Sequence, residues 1–300
     1  MAETKHTSKT YTLPSGDKLP AIGLGTWQSP NDQVVKAVQD ALAAGYRYID
    51  TAYAYGNEAD VGKGVKASGV PREQIWITTK LDNPWHKRVA EGIDASLKNL
   101  GMEYVDLYLM HWPCSLDPAD KTGKTSYSDW NFIDTWREMQ KLLDTGKVRN
   151  IGVSNFSITN LEKLLNDPSC KTKPAVNQIE LHPNNPSPKL IDYCAEKGIH
   201  CTAYSCLGST NSPLYKDATL LELAEKKGKT PQQCLLQWGI QRGCDVIPKS
   251  VTKERIEANF ALDGWSLTED EMTKLSNLKD RFKVCGDGWL PDKIFHGDDE

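Results

Sequence analysis

The sequence has no CxxC pair, no long apolar run and no excess of positive charge. Each absence removes a class of protein. The 8 cysteines are scattered at positions 114, 170, 194, 201, 206, 234, 244 and 285, so no zinc ribbon or redox dithiol motif is present. Those within apolar runs read as small buried hydrophobes, and reduced thiols in a cytoplasmic protein are expected. The opening stretch MAETKHTSKTYTLPSGDKLP carries no apolar segment of a secretory signal. No stretch approaches the ~18 apolar residues of a membrane span, so no membrane contact is expected. A net charge of −4 gives no electrostatic case for nucleic acid. The histidines other than His111 show no HxH or HxxxH spacing, so a metal-dependent hydrolase has little support and no metal is expected.

What is present suits a large core. Hydrophobic residues make up 39% and charged residues 25% of the 300 positions, which needs neither disulfides nor metals for stability. Tyr11–Leu13 and Leu19–Ala21 flank Pro14-Ser15-Gly16-Asp17, a hairpin signal. Short apolar strands then alternate with amphipathic helices. The predicted strands are Ile22–Gly25, Tyr48–Asp50, Ile75–Lys80, Val105–His111, Asn150–Ser154, Ala175–Glu180, Cys201–Tyr204 and Val246–Pro248. Helical patterns between them include Asn31–Ala44, Lys87–Leu100, Trp130–Thr145, Ile158–Asn166 and Pro188–Lys197.

This alternation predicts parallel strands joined by right-handed crossovers. It fits a closed (β/α)₈ barrel or a doubly wound open sheet. An open dinucleotide-binding sheet prefers GxGxxG after its first strand, and the run from Gly23 to Gln28 lacks the third glycine. No Pro/Gly/Ser-rich linker divides the chain. The expectation is one domain over 1–300, with an N-terminal hairpin at about 10–22 and a C-terminal loop and loose tail at about 280–300.

Barrel enzymes gather working residues at the C-terminal ends of their strands. At or next to the ends of the predicted strands stand Asp50, Lys80, His111, Ser154-Asn155, Gln178, Tyr204 and Lys249. A single Asp after a strand is usually a cap or a turn residue. Seven such strand ends in succession are harder to explain by packing. Asp50, Tyr55, Lys80 and His111 together suit carbonyl reduction, which needs a proton and builds negative charge on the carbonyl oxygen. Tyrosine can give the proton, a lysine cation would lower its pKa from about 10, and a carboxylate would anchor that lysine. A neutral histidine can hydrogen-bond the developing oxyanion.

Spacing alone does not establish such a site. The segment from Gly45 to Glu58, GYRYIDTAYAYGNE, resembles an aldo-keto reductase signature, as do VDLYLMHWP (Val105 to Pro113), IGVSNF (Ile151 to Phe156) and IPKSVTKER (Ile247 to Arg255). With the early glycine run, these blocks extend in order from Gly23 to about Asn259. The resemblance implies a single (β/α)₈ barrel, NADPH/NADP+ as cofactor, and Asp50, Tyr55, Lys80 and His111 as a catalytic tetrad with Tyr55 as the acid. It implies that Ser154, Asn155 and Gln178 hold the nicotinamide carboxamide and that Tyr204 stacks on the ring. It places Ser205, Leu207 and Ser209 over the pyrophosphate. Lys249, Ser250 and Arg255 match a clamp on the 2′-phosphate, with Val251, Thr252 and Asn259 beside it and Thr252 read as a helix N-cap. Gly25, Thr26, Trp27 and Asp50 complete the implied cofactor contacts. The chemistry agrees in kind, since Arg forks and Lys point charges suit phosphate. The chain departs from the family at Ala258, where many relatives have a glutamate that contacts the adenine amino group.

For the substrate, the resemblance points to Trp27, Tyr55, His111 and Trp112. Asp82 and Asn83 follow the lysine where many relatives have an aromatic residue, and Trp85 is expected to supply that ring instead. Tyr53 reads as packing. The Phe282–Trp289 region is expected to form a pocket wall, made mobile by Gly286-Asp287-Gly288. The expected activity is reversible NADPH-dependent reduction of small aldehydes, aldoses or related hydroxylated carbonyls by a monomer. The alternative is an NADPH-sensing regulatory subunit of the same superfamily, which an N-terminal extension and an oligomerisation surface would favour.

Overall fold

The protein is described by a computed structural model covering residues 5–297. Strands β1 (Thr10–Thr12) and β2 (Lys18–Pro20) form the hairpin, with Tyr11 opposite Leu19. Both strands start one residue earlier than the sequence pattern predicts. Leu13 and Leu19 are buried against Tyr48, Trp76, Leu107 and Val176, so the hairpin plugs one end of the sheet that follows.

That sheet has 8 strands in chain order, all parallel. They are β3 (Leu24–Gly25), β4 (Tyr48–Asp50), β5 (Trp76–Leu81), β6 (Val105–Met110), β7 (Val148–Ser154), β8 (Val176–Glu180), β9 (His200–Tyr204) and β10 (Asp245–Val246). Every residue of β5 and β6 is buried, as expected where both faces of a strand are covered. The first and last strands close the circle. Gly23 N–H donates to Val246 O at 2.9 Å and Gly25 N–H to Pro248 O at 3.0 Å. A side chain at position 25 would place its Cβ 2.6 Å from Ile247 O, so glycine permits this seam. The open-sheet reading is thereby excluded, and the fold is a (β/α)₈ barrel.

The helices are α1 (Asn31–Ala44), α2 (Glu58–Ser68), α3 (Val89–Leu100), α4 (Phe132–Lys141), α5 (Ile158–Asn166), α6 (Pro188–Lys197), α7 (Ala218–Lys227), α8 (Pro231–Gln241), α9 (Lys253–Phe260) and α10 (Glu269–Ser276). Two of them begin later than the sequence pattern suggests, for local reasons. Asn131 caps α4 by accepting the Ile133 N–H at 2.8 Å, while Asp134 accepts the Asn131 N–H at 3.0 Å. Asn83–Trp85 forms a 3₁₀ turn and Arg88 is non-helical at φ −133°, so α3 starts at Val89 rather than Lys87.

No helix among the described residues is long and apolar enough to cross a membrane. The cysteines are free thiols, 6 of them buried and Cys170 and Cys285 half-buried. The far end of the expected loose tail lies outside the described residues.

Candidate active site

Asp50, Tyr55, Lys80 and His111 converge at the C-terminal ends of β4, β5 and β6. Asp50 is the last residue of β4. A 3₁₀ turn, Tyr53–Tyr55, follows and ends at Gly56, whose φ of 69° reverses the chain. That turn brings Tyr55 back over the lysine. Lys80 Nζ donates to Asp50 Oδ1 at 2.6 Å, to Thr51 O at 2.8 Å and to the Tyr55 hydroxyl at 3.2 Å. All three ammonium donors are therefore engaged. The His111 ring meets the Tyr55 ring edge-on, with centroids 5.7 Å apart.

Burial shifts the protonation of each member. It pulls Lys80 down and pushes Asp50 up, and their close contact opposes both shifts. Burial also pushes Tyr55 well above the ordinary tyrosine value, followed in effect by Asp50 and Cys285. From the sequence, Lys80 is expected to lower Tyr55. In the structure burial dominates and Asp50 acts in the same direction, so the site favours the neutral phenol. His111 is held well below the ordinary histidine value, by burial first and then by Lys80 and His86. The group thus presents a neutral acid and a neutral imidazole side by side.

A chain of hydrogen bonds extends from the tetrad across the barrel mouth. Gln178 Nε2 donates to Asp50 Oδ2 at 2.7 Å, and Ser154 Oγ donates to Gln178 O at 2.9 Å. Asn155 Nδ2 donates to His111 O at 3.0 Å, while Tyr204 OH donates to Asn155 Oδ1 at 2.6 Å. Asn155 therefore sets the position of both Tyr204 and the His111 backbone.

These residues form part of a long cleft that continues past Ser205, Leu207 and Ser209 to Lys249, Ser250, Val251, Thr252, Arg255 and Asn259. Gly25, Thr26 and Trp27 line its edge. Gln28, Asn155, Ser205, Ser209 and Asn211 all line the cleft with left-handed φ between 45° and 66°, a cost normally tolerated at functional sites. Lys249 and Arg255 are exposed and have no ion-pair partner among the described residues. Two unpaired cations beside the start of α9 fit a bound phosphate. Thr252 stands at the N-cap position but its side chain caps nothing. Instead Ser250 Oγ accepts the Thr252 N–H at 3.1 Å, because the chain turns tightly between them. Ala258 lines the cleft where the family glutamate is missing.

At the other end the walls are Trp27, Trp112, Trp289 and Asp82. Trp112 and Trp289 meet edge-to-face at 5.5 Å. Trp85 does not reach this space. Its turn directs the ring onto Tyr53, 5.6 Å away, and under the Arg88 guanidinium. Tyr53 is accordingly a packing residue, and Asp82, not Trp85, faces the cleft.

The C-terminal wall is fixed by a residue that the sequence reading did not single out. Glu180, the last residue of β8, is 2% exposed. Its carboxylate accepts the Val284 N–H at 2.6 Å and the Cys285 N–H at 2.7 Å, and it contacts His182 Nε2 at 2.9 Å. Val284, Cys285, Gly286 and Trp289 line the cleft. The Asp287 carboxylate accepts the N–H groups of Ile294 and Phe295, so the glycine-flanked stretch is tied rather than free. A glutamate in a strand two residues from a site glutamine was the available signal for Glu180. Gln28, Tyr215, Thr230, Gln232 and Glu254 also line the cleft, and no role was expected of them.

A barrel with this tetrad, an amide pocket and a cationic end defines a class of carbonyl-handling oxidoreductases, and comparison with known proteins places the chain within it. The chain belongs to the aldo/keto reductase family, which it matches over residues 21–280. It is 44% identical to Glycerol 2-dehydrogenase (NADP(+)) of Saccharomyces cerevisiae, over 98% of this chain and 100% of that one. It is 47% identical to D-galacturonate reductase of Hypocrea jecorina, over 89% of each chain. The solved aldose reductase of Schistosoma japonicum superposes with a TM-score of 0.86 at 39% identity, covering 92% of this chain and 94% of that one.

Proposed function

We propose that the protein reduces small hydroxylated aldehydes and ketones to alcohols with NADPH, and that Tyr55 supplies the proton. The observation that carries this reading is the 3.2 Å contact between Lys80 Nζ and the Tyr55 hydroxyl, made beside His111 in the cleft wall. NADPH, when bound, supplies the hydride. Lys249, Ser250 and Arg255 would hold its 2′-phosphate, supported by the two unpaired cations at that end. Ser154, Asn155 and Gln178 would take the carboxamide, and Tyr204 would stack on the ring. The relative named Glycerol 2-dehydrogenase (NADP(+)) supports the same cofactor.

The Tyr55 phenol, kept protonated by burial, donates to the carbonyl oxygen as negative charge develops there. Lys80 then stabilises the phenolate that remains, and Asp50 holds Lys80 in place. Neutral His111 donates a second hydrogen bond to the same oxygen. The tryptophan walls exclude water from the reacting carbon. The reaction is reversible, and a high ratio of NADPH to NADP+ drives it towards the alcohol. The free thiols suit a reducing compartment, and we assign the reaction to the cytoplasm.

The test is NADPH oxidation by the purified protein over a panel containing DL-glyceraldehyde, dihydroxyacetone, pentoses and benzaldehyde, with the alcohol identified by chromatography. Turnover of at least one hydroxylated carbonyl is expected, with NADH markedly poorer. No turnover across the panel overturns the reading.

A further inference from the structure

The two ends of the cleft carry opposite charge. Lys249 and Arg255 stand at one end, and the side chain beside the tetrad with a formal charge facing the cleft is Asp82. Asp82 is held rigidly. It caps the Asn83–Trp85 turn, and its Oδ1 accepts the Asn83 N–H at 2.9 Å. Its Oδ2 makes no hydrogen bond among the described residues and is left to accept one from whatever fills the cleft.

Nearby cations do not balance it. Lys124 Nζ donates to the Trp289 carbonyl at 2.6 Å, and Lys283 Nζ sits 3.3 Å over the Phe295 ring. Lys87 pairs with Asp129 at 2.5 Å, and Arg88 covers the Trp85 ring. None of the four lines the cleft. The other walls, Trp27, Trp112 and Trp289, offer flat aromatic faces to the C–H surfaces of a sugar or polyol.

We propose that Asp82 is a specificity-determining residue that selects neutral polyhydroxylated carbonyls, by accepting a substrate hydroxyl, and rejects carbonyls that carry a carboxylate. The inference rests on the reductase reading above and names its substrate class. A uronate would bring a second carboxylate to a cleft end where burial already pushes Asp82 up, no cation among the described residues lines the wall and Lys80 is paired with Asp50. This chain should therefore be a poor D-galacturonate reductase despite its 47% identity to one.

The experiment compares kcat/KM for D-galactose and D-galacturonate, which differ only in a terminal CH₂OH or carboxylate, with DL-glyceraldehyde as a reference. It uses the wild type, Asp82→Asn and Asp82→Ser, two variants that keep an acceptor for the turn. NADPH affinity is measured alongside. Wild type is expected to prefer galactose. Both variants should raise kcat/KM for galacturonate about tenfold, or about 1.4 kcal/mol. Both should lower kcat/KM for galactose and leave NADPH affinity unchanged. Added salt should narrow the wild-type preference. Turnover of glyceraldehyde with an unchanged galactose-to-galacturonate ratio in both variants overturns the proposal alone. No turnover of any of the three overturns the reductase reading and the proposal with it.

Discussion

The nucleotide end and the substrate end of the cleft are built by different means. The nucleotide end draws on strand ends and the short turns directly after them, such as Ser154-Asn155 after β7, Ser205 after β9 and Lys249-Ser250 after β10. The barrel ladder holds these positions. The substrate end adds to two such positions, Asp82 after β5 and Trp112 after β6, a wall from 284–289 that lies far beyond the last strand in sequence. Its C-terminal part is attached to the barrel by side chains, with Glu180 holding the Val284 and Cys285 amides, Asn184 the Asp280 carbonyl and Asn160 the Ile294 carbonyl. Loops held by side-chain contacts can be exchanged while a strand-end scaffold stays constant, which suits one cofactor with varied substrates.

This division can be broken from either side. On the nucleotide side, Arg255→Ala removes a phosphate fork. It should weaken NADPH binding about 10- to 100-fold, the value of a charge-assisted hydrogen bond, and leave the order of preference among carbonyls unchanged. Fluorescence titration with NADPH and NADH measures it, and the loss should be confined to NADPH. On the substrate side, Glu180→Gln exchanges an acceptor for a donor against two backbone N–H groups. The carbonyl KM should rise by about fivefold, around 1 kcal/mol, with kcat and NADPH affinity held. Hydrogen exchange should show the Val284 and Cys285 amides losing protection in that variant. If NADPH affinity falls as well, the two ends are coupled and the comparison fails.

The same division governs what the sequence reveals. The strands, their order and the tetrad are legible because a parallel barrel imposes βα alternation and puts its chemistry at strand ends. Asp50, Lys80 and His111 stand out by position, Tyr55 joins them by its chemistry, and the family resemblance ties the four into one set. Taken as a pair, Lys80 would lower Tyr55, but Asp50 lies 2.6 Å from the lysine and burial acts on all three groups, so Tyr55 is pushed up instead. The resemblance implies an aromatic ring after the lysine and points to Trp85 for it, but the turn capped by Asp82 directs that ring into packing. Glu180 was missed because nothing local in a strand shows that its partner lies about 100 residues later in the chain, at Val284 and Cys285. Short polar words at strand ends are readable, and contacts that close long loops are not.

The central claim is that Tyr55 delivers the proton from a site whose cofactor end is independent of it. The direct measurement is kcat with DL-glyceraldehyde in Tyr55→Phe, together with the NADPH dissociation constant of the same preparation. The account predicts a fall in kcat of about 10²-fold or more, the usual contribution of a positioned acid, with NADPH binding unchanged. Turnover equal to that of the wild type would contradict it.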